Sequence, residues 1–220
     1  MSGTAKPSTG GGWIGELSGV AAGYRPGIDV LTGLDLRIPP GCTLLTGPNG
    51  SGKSTVVELL AGTLRPTAGS VTVLGLPAGD AGLRARRTVC RAAPALYPAL
   101  TPAEHRSLIG ADHDAFEARA RRHGLGPWLD TPIQGLSTGN IRKAWLLLTT
   151  MRPVELVVLD EPFNGLDPRG SEALPADIRE GAGVGCSVTV VAHDPPAAFR
   201  VLVDSTVGID GPEIARIGPR

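Results

Sequence analysis

From Leu34 to Ile38 apolar and polar residues alternate, the period of a half-buried strand, and Pro39-Pro40-Gly41 marks a turn before a mostly apolar run from Cys42 to Thr46. A glycine-rich stretch, Gly47 to Thr55, follows directly. Beyond Lys53 the period lengthens: Val56, Val57, Leu59, Leu60 and Leu64 recur at helical spacing, and Arg65-Pro66 is the expected stop. Gly69 to Leu74 reads as a short strand, followed by an arginine-bearing stretch from Arg84 to Arg91. Thr101-Pro102-Ala103-Glu104 then supplies a capping residue, a proline at the first helical position and a glutamate at the third, the start of a helix to about Ile109. Asp114 to Arg122 and Gly139 to Met151 carry helical patterns as well. Residues 95–150 therefore predict a helical insert between two strand-bearing halves. Leu156 to Leu159 and Ser187 to Ala192 read as strands buried on both faces of a sheet. Between them Pro168 to Glu180 predicts a helix kinked or divided at Pro175, and a short strand near Val201 to Ile209 is expected to complete the chain.

Composition narrows the class of protein. The 220 residues suffice for one sizeable domain or two small ones, 41% are apolar, and no internal repeat or compositional linker separates independent units. Twenty-one basic residues balance 21 acidic ones, so no chain-wide field draws nucleic acid or an anionic membrane to this surface. Aromatics make up 4%, too few for the platforms that stack single strands. Cys42, Cys90 and Cys186 are too scattered for a disulfide framework or a paired metal-ligand spacing, which points to a reducing interior. Residues 1–12 are small, polar and glycine-rich, and are expected to form a flexible tail rather than a secretory signal. The longest stretch without an ionisable residue, between Arg37 and Lys53, holds three prolines and is excluded as a membrane helix.

Candidate chemistry gathers at the first strand-to-helix junction. Gly47-Pro48-Asn49-Gly50-Ser51-Gly52-Lys53-Ser54-Thr55 has the spacing of a phosphate-binding loop, in which glycines let backbone N–H groups curl around phosphate and the helix N-terminus adds positive potential. Lys53, one of only three lysines, would reach the terminal phosphates, and Ser54 would place its hydroxyl on Mg²⁺. An ordinary glycine-rich turn is the plain alternative. The strand Leu156 to Leu159 leads to Asp160 as a metal ligand and Glu161 as the candidate general base, although two adjacent carboxylates at a strand end also fit an exposed turn.

Leu136-Ser137-Thr138-Gly139-Asn140 stands about twenty residues before Asp160 and leads into a helix. With Tyr24 upstream of the phosphate loop, Asn164-Gly165-Leu166-Asp167 after Glu161, and His193 at the end of the Ser187 to Ala192 strand, it completes an ordered set of motifs that resembles the ABC ATPases over roughly residues 14–210. The resemblance implies an α/β P-loop NTPase of ABC type: a mixed sheet core with an N-terminal antiparallel β portion and an inserted helical subdomain, forming one domain over residues 13–220. It implies ATP and Mg²⁺ as cofactors. It also implies a head-to-tail homodimer or heterodimer in which each ATP lies between one protomer's Gly47 to Thr55 and the other's Ser137, Gly139 and Asn140, with Asp167 counted among the nucleotide-binding residues. By the same resemblance Tyr24 stacks on adenine, while His193 joins Lys53 and Glu161 as a catalytic residue and contacts the γ-phosphate. A loop tyrosine also serves as surface packing, and a histidine after a buried strand as a satisfied structural residue.

The implied function is an ATP-hydrolysing subunit that energises a separate transmembrane permease. It would be cytoplasmic, peripheral at the inner face of the cell membrane, in membrane contact only through the permease and without a nucleic-acid partner. A soluble ABC-type regulatory or switch ATPase outside transport is the alternative. The sequence departs from the family at Ala92, where a glutamine ordinarily links the metal to the partner subunit; either the coupling is weakened or the alignment is off by a few residues. Asn140 in place of glutamine keeps an amide. Arg84, Arg86, Arg87 and Arg91, and likewise Arg119, Arg121 and Arg122, form clusters that read as solvated surface or as a docking face for a partner.

Overall fold

The computed structural model describes residues 12–183, 185–209 and 215–218. The tail expected over residues 1–12 lies, apart from Gly12, outside them. In chain order the elements are β1 (Gly15–Ala22), β2 (Leu31–Ile38), β3 (Cys42–Thr46), α1 (Lys53–Ala61), β4 (Ala68–Val73), β5 (Leu76–Pro77) and β6 (Arg87–Cys90). Three helices follow, α2 (Pro102–Ile109), α3 (His113–Arg122) and α4 (Thr138–Thr150). The chain then returns to strands through β7 (Leu156–Asp160), α5 (Pro168–Gly183), β8 (Ser187–Val191), α6 (Ala197–Arg200), β9 (Ser205–Ile209) and β10 (Ala215–Gly218).

Two sheets result. The first, in order β2-β1-β4-β5, is antiparallel throughout, and the second runs β10-β9-β3-β8-β7-β6 with only the β9–β10 pair antiparallel. Every residue of β7 and β8 is buried, as their apolar character predicts for strands covered on both faces. Their side chains alternate between two cores. Val158 and Leu156 pack with Leu59 and Leu60 of α1 and with the antiparallel sheet. Val157 and Leu159 pack with Leu174 and Ile178 of α5 and with Phe199. A third cluster, built on Phe116, Leu125, Ile133 and Leu147, holds the helical part together. Helix α4 straddles two of these cores, since Leu146 belongs to the second and Leu147 to the third.

Several elements differ from the sequence pattern. α1 ends at Ala61, short of Arg65-Pro66, because Gly62 turns left-handed (φ 70°) and its N–H caps the carbonyls of Glu58 and Leu59. α5 passes through Pro175 as one helix, held against β8 by Leu174 and Ile178 on either side of the proline. The strand expected from Val201 begins at Ser205, since Ala197–Arg200 form α6, and β10 rather than β9 is the last strand described. β1 and the edge strand β6 have weak alternation and declare themselves only by pairing.

Most of the arginines in the two clusters are engaged within the chain while remaining partly exposed. Arg86 pairs with Glu155 at 2.5 Å and Arg91 with Glu58 at 2.6 Å, while Arg87 donates to the carbonyls of Leu60, Ala61 and Ala78 and so closes the end of α1. Arg119 and Arg122 reach from α3 to Glu180 on α5, and Arg122 also bonds Asp177 at 2.7 Å. Arg121 pairs within its own helix with Glu117, and Arg84 stays exposed.

A Cβ on Gly62 would lie 2.1 Å from the backbone oxygen of Ala78, in addition to the strain of a left-handed φ. Gly62→Ala is therefore expected to cost about 2 kcal/mol or more, measured as a lowered urea midpoint at unchanged slope.

Candidate active site

The parallel ladder brings distant residues to one edge. Val191 of β8 pairs with Leu45 of β3 on one side and with Asp160 of β7 on the other. The loop leaving β3, the acids ending β7 and His193, two residues beyond β8, therefore emerge together at the carboxyl ends of adjacent strands, where α/β sheets bind ligands. α1 starts directly from the loop. Its N-cap, Gly52, is left-handed (φ 92°), and a Cβ there would sit 2.4 Å from Leu31 Cδ2. Buried Lys53 folds over the loop and donates from Nζ to the carbonyls of Gly47 and Pro48, at 2.8 Å each.

A cavity of about 430 Å³ opens above this loop. Asn49, Gly50 and Gly52 to Thr55 form its floor, with Val30 at the rim and Glu161 and Asn164 opposite. Glu161 occupies a left-handed backbone conformation (φ 45°), unusual for a residue with a side chain, and its N–H donates to Val191 O at 2.8 Å. Asn164 donates from its amide to Glu161 Oε2 at 3.4 Å.

Polar atoms in the site are left waiting for partners. Ser51 Oγ and Asp160 Oδ1 are buried without a hydrogen bond among the described residues. Burial pushes the Asp160 carboxyl above its ordinary value; the Ser54 side chain opposes the rise, the neighbouring Glu161 charge adds to it and Arg142 opposes it. A buried carboxylate beside a hydroxyl is a hard-oxygen donor pair, fitting a divalent cation such as Mg²⁺. Among the described residues no three His, Cys, Asp or Glu side chains cluster as an all-protein cage, so the remaining ligands of such a cation have to come from phosphate or water. The three thiols offer no alternative, because burial holds Cys42 up to about 12 and Cys90 and Cys186 up to about 11.

The motif before α4 borders a second cavity, which its Thr138 lines together with Glu161 and Asn164. Ser137 caps the helix, its Oγ accepting from Asn140 N at 3.2 Å, and it is exposed, with Gly139 and Asn140 in the same first turn. None of the three lines the cavity over the phosphate loop. Asp167 is engaged within the chain: it accepts from Lys143 Nζ at 2.6 Å and from Gly170 N at 2.8 Å, and Lys143 holds its carboxyl below the usual range. Tyr24 is exposed in the loop after β1, and the apolar side chain at the rim is Val30. His193 is exposed. Ala92 lines a second cavity, about 340 Å³, together with Ile141, Arg142, Glu161 and Asn164. The position therefore does sit beside the candidate base, and it contributes no amide. Val30 and Arg142 escape a motif-based reading, while Asn164 belongs to the segment read after Glu161 without a role of its own; for Arg142 the available signal was the Arg142-Lys143 pair ahead of the apolar run of the helix.

The pattern of the family described as ABC transporter matches residues 31–164. A Streptomyces coelicolor protein named as an ABC transporter ATP-binding protein is 34% identical, over all of this chain and 82% of its own length. The cytochrome c biogenesis ATP-binding export protein CcmA of Pseudomonas syringae pv. syringae is 32% identical over 81% of this chain and 89% of its own. A solved ATP-binding subunit of an ABC transporter superposes with a TM-score of 0.81 at 25% identity, over 94% of this chain and 90% of that one.

A carboxyl whose folded-state value lies above its unfolded one weakens the fold as pH rises through the interval between them, and the full deficit is present above the folded-state value. Nucleotide-free Asp160→Asn is therefore expected to melt higher than the parent at pH 7, the gap closing as pH falls toward the unfolded value of about 4. Thermal melts across that range check it.

Proposed function

The chain belongs to the ABC transporter family and is an ATP-hydrolysing subunit; from that premise we propose that two such subunits close head to tail on two ATP molecules and so drive a separate membrane permease. One observation carries the reading. The exposed N-terminus of α4, with Ser137, Gly139 and Asn140, lies apart from the cavity of its own phosphate loop, so a second subunit is needed to bring these donors to a bound triphosphate. ATP then favours closure because it contacts both subunits only in the closed state.

Within one site, the amides of Gly47 to Thr55 bind the phosphates, and Lys53 leaves the carbonyls of Gly47 and Pro48 to meet the terminal ones. Ser54 and Asp160 hold Mg²⁺, which when bound neutralises charge on the phosphate oxygens. Glu161 accepts a proton from the water whose oxygen bonds to the γ-phosphorus in line with the breaking bond to ADP. His193, at the same strand edge, orients that water, and Tyr24 stacks on the adenine. Loss of the γ-phosphate removes the contacts that held the two subunits together. No described helix is long and apolar enough to cross a membrane, in keeping with a subunit that meets the bilayer through its permease at the cytoplasmic face.

Glu161→Gln is expected to keep ATP affinity, slow hydrolysis by about 10²-fold or more, and accumulate an ATP-bound dimer in light scattering. Parental turnover in this variant would remove Glu161 from the base role, and a monomer at high concentration would remove the sandwich. Lys53→Ala should weaken binding of a fluorescent ATP analogue by at least tenfold, and unchanged affinity would count against the phosphate cradle.

A further inference from the structure

Arg142 lies one turn into α4 and is buried, yet among the described residues its guanidinium bonds no carboxylate. Nη1 donates to the carbonyls of Arg91 at 2.9 Å and Ala92 at 2.8 Å; Nη2 donates to those of Asp160 at 2.9 Å and Glu161 at 2.8 Å. Its Nε has no partner among the described residues. Taking a guanidinium out of water without a paired anion is costly, and a methionine or leucine of similar size would fill the space more cheaply. Four charge-assisted bonds offset that cost only while the loop after β6 and the turn after β7 are both held against α4.

The carbonyls chosen are not arbitrary. The two peptide groups flanking Glu161 are those of Asp160 and Glu161, and both of their oxygens go to Arg142. With the Glu161 N–H bound to Val191, the strained φ of 45° is over-determined on both sides, as a stored backbone conformation requires. The other two bonds reach the carbonyls of Arg91 and Ala92, and at position 92 an alanine side chain carries no polar group to the site.

We infer that Arg142 is a positioning residue for ATP hydrolysis: it sets the backbone of Glu161 and ties it to the helix whose first turn meets the other subunit's nucleotide. The inference rests on the function proposed above. At Ala92 the linkage runs through the main chain, taking the place of the missing amide side chain. Placement of α4 by the partner site is thereby transmitted to the candidate base through one rigid planar group.

The test uses the full chain with Arg142→Lys and Arg142→Met. Arg142→Lys is expected to bind a fluorescent ATP analogue within about threefold of the parent, with KM unchanged and kcat at least tenfold lower. In a Glu161→Gln background the same substitution should cause no further loss, because both changes act through one carboxylate, whereas a merely structural role would lower the residual rate by the same factor again. A kcat within twofold of the parent, a parallel loss of nucleotide affinity, or an undiminished second loss overturns the inference. Silence of Glu161→Gln, or a parent without ATPase activity, instead overturns the proposed function. A readout independent of variant folding is the ¹⁵N-arginine spectrum of the parent, where guanidinium groups chelated by several carbonyls show resolved, slowly exchanging Nη protons. Arg87, Arg142 and Arg169 each donate to two or more carbonyls, and if the Arg87→Lys, Arg169→Lys double variant leaves no such resonance, Arg142 is not held as described.

Discussion

β8 lies between β3 and β7, parallel to both, and the active site follows from that constraint. β3 is separated from β7 and β8 by more than a hundred residues of chain, yet the ladders set Leu45, Val191 and Asp160 side by side. Because β7 and β8 are buried on both faces, a slip of one residue would exchange the side chains of two cores at once, so the register is closely specified. The phosphate loop, the paired acids and His193 inherit their common edge from this ladder, whatever the loops between the strands do.

Packing that stabilises the sheet also raises the cost of what sits at its edge. Lys53, Asp160 and Arg142 are all buried, and each meets incomplete or unusual compensation: a lysine on two carbonyls, a carboxyl with one oxygen unbonded, a guanidinium on four peptide oxygens. Hydrophobic replacements would relieve the fold at such places. On the function proposed, the phosphates and cation of a highly charged ligand would complete the interactions of Lys53 and Asp160, while Arg142 acts on the backbone around Glu161.

The helical part is joined to the sheet by polar ties as well as by Leu146 of α4, which packs into the core of the parallel sheet. Its own cluster is built on Phe116, Leu125 and Ile133, and the ties are α4, through Arg142 and the Lys143–Asp167 pair, and the α3–α5 seam, where buried His123 lies 2.6 Å from Asp177 and Arg122 bonds the same carboxylate. Arginines that looked like a docking face by composition are the fasteners of this seam and of the end of α1.

Much of the site was legible because its chemistry is local. Glycine spacing before Lys53, a capping serine at 137 and acids after an apolar strand are each decided by neighbouring residues, and the helix from Thr101 was recognisable from its capping box, which the structure contains. The end of α1 and the continuity of α5 were not, since the first depends on Gly62 turning left-handed beside Ala78 and the second on β8 holding both sides of Pro175. By itself, then, the sequence determined which segments carry phosphate, acid and capping chemistry, as these depend on residue type and short spacing. Only the tertiary structure decided that Ala92 and Glu161 line one cavity, that Arg142 grips both, and that Ser137 is exposed outside the cavity over its own phosphate loop, because sheet order and helix packing join residues that no local pattern relates.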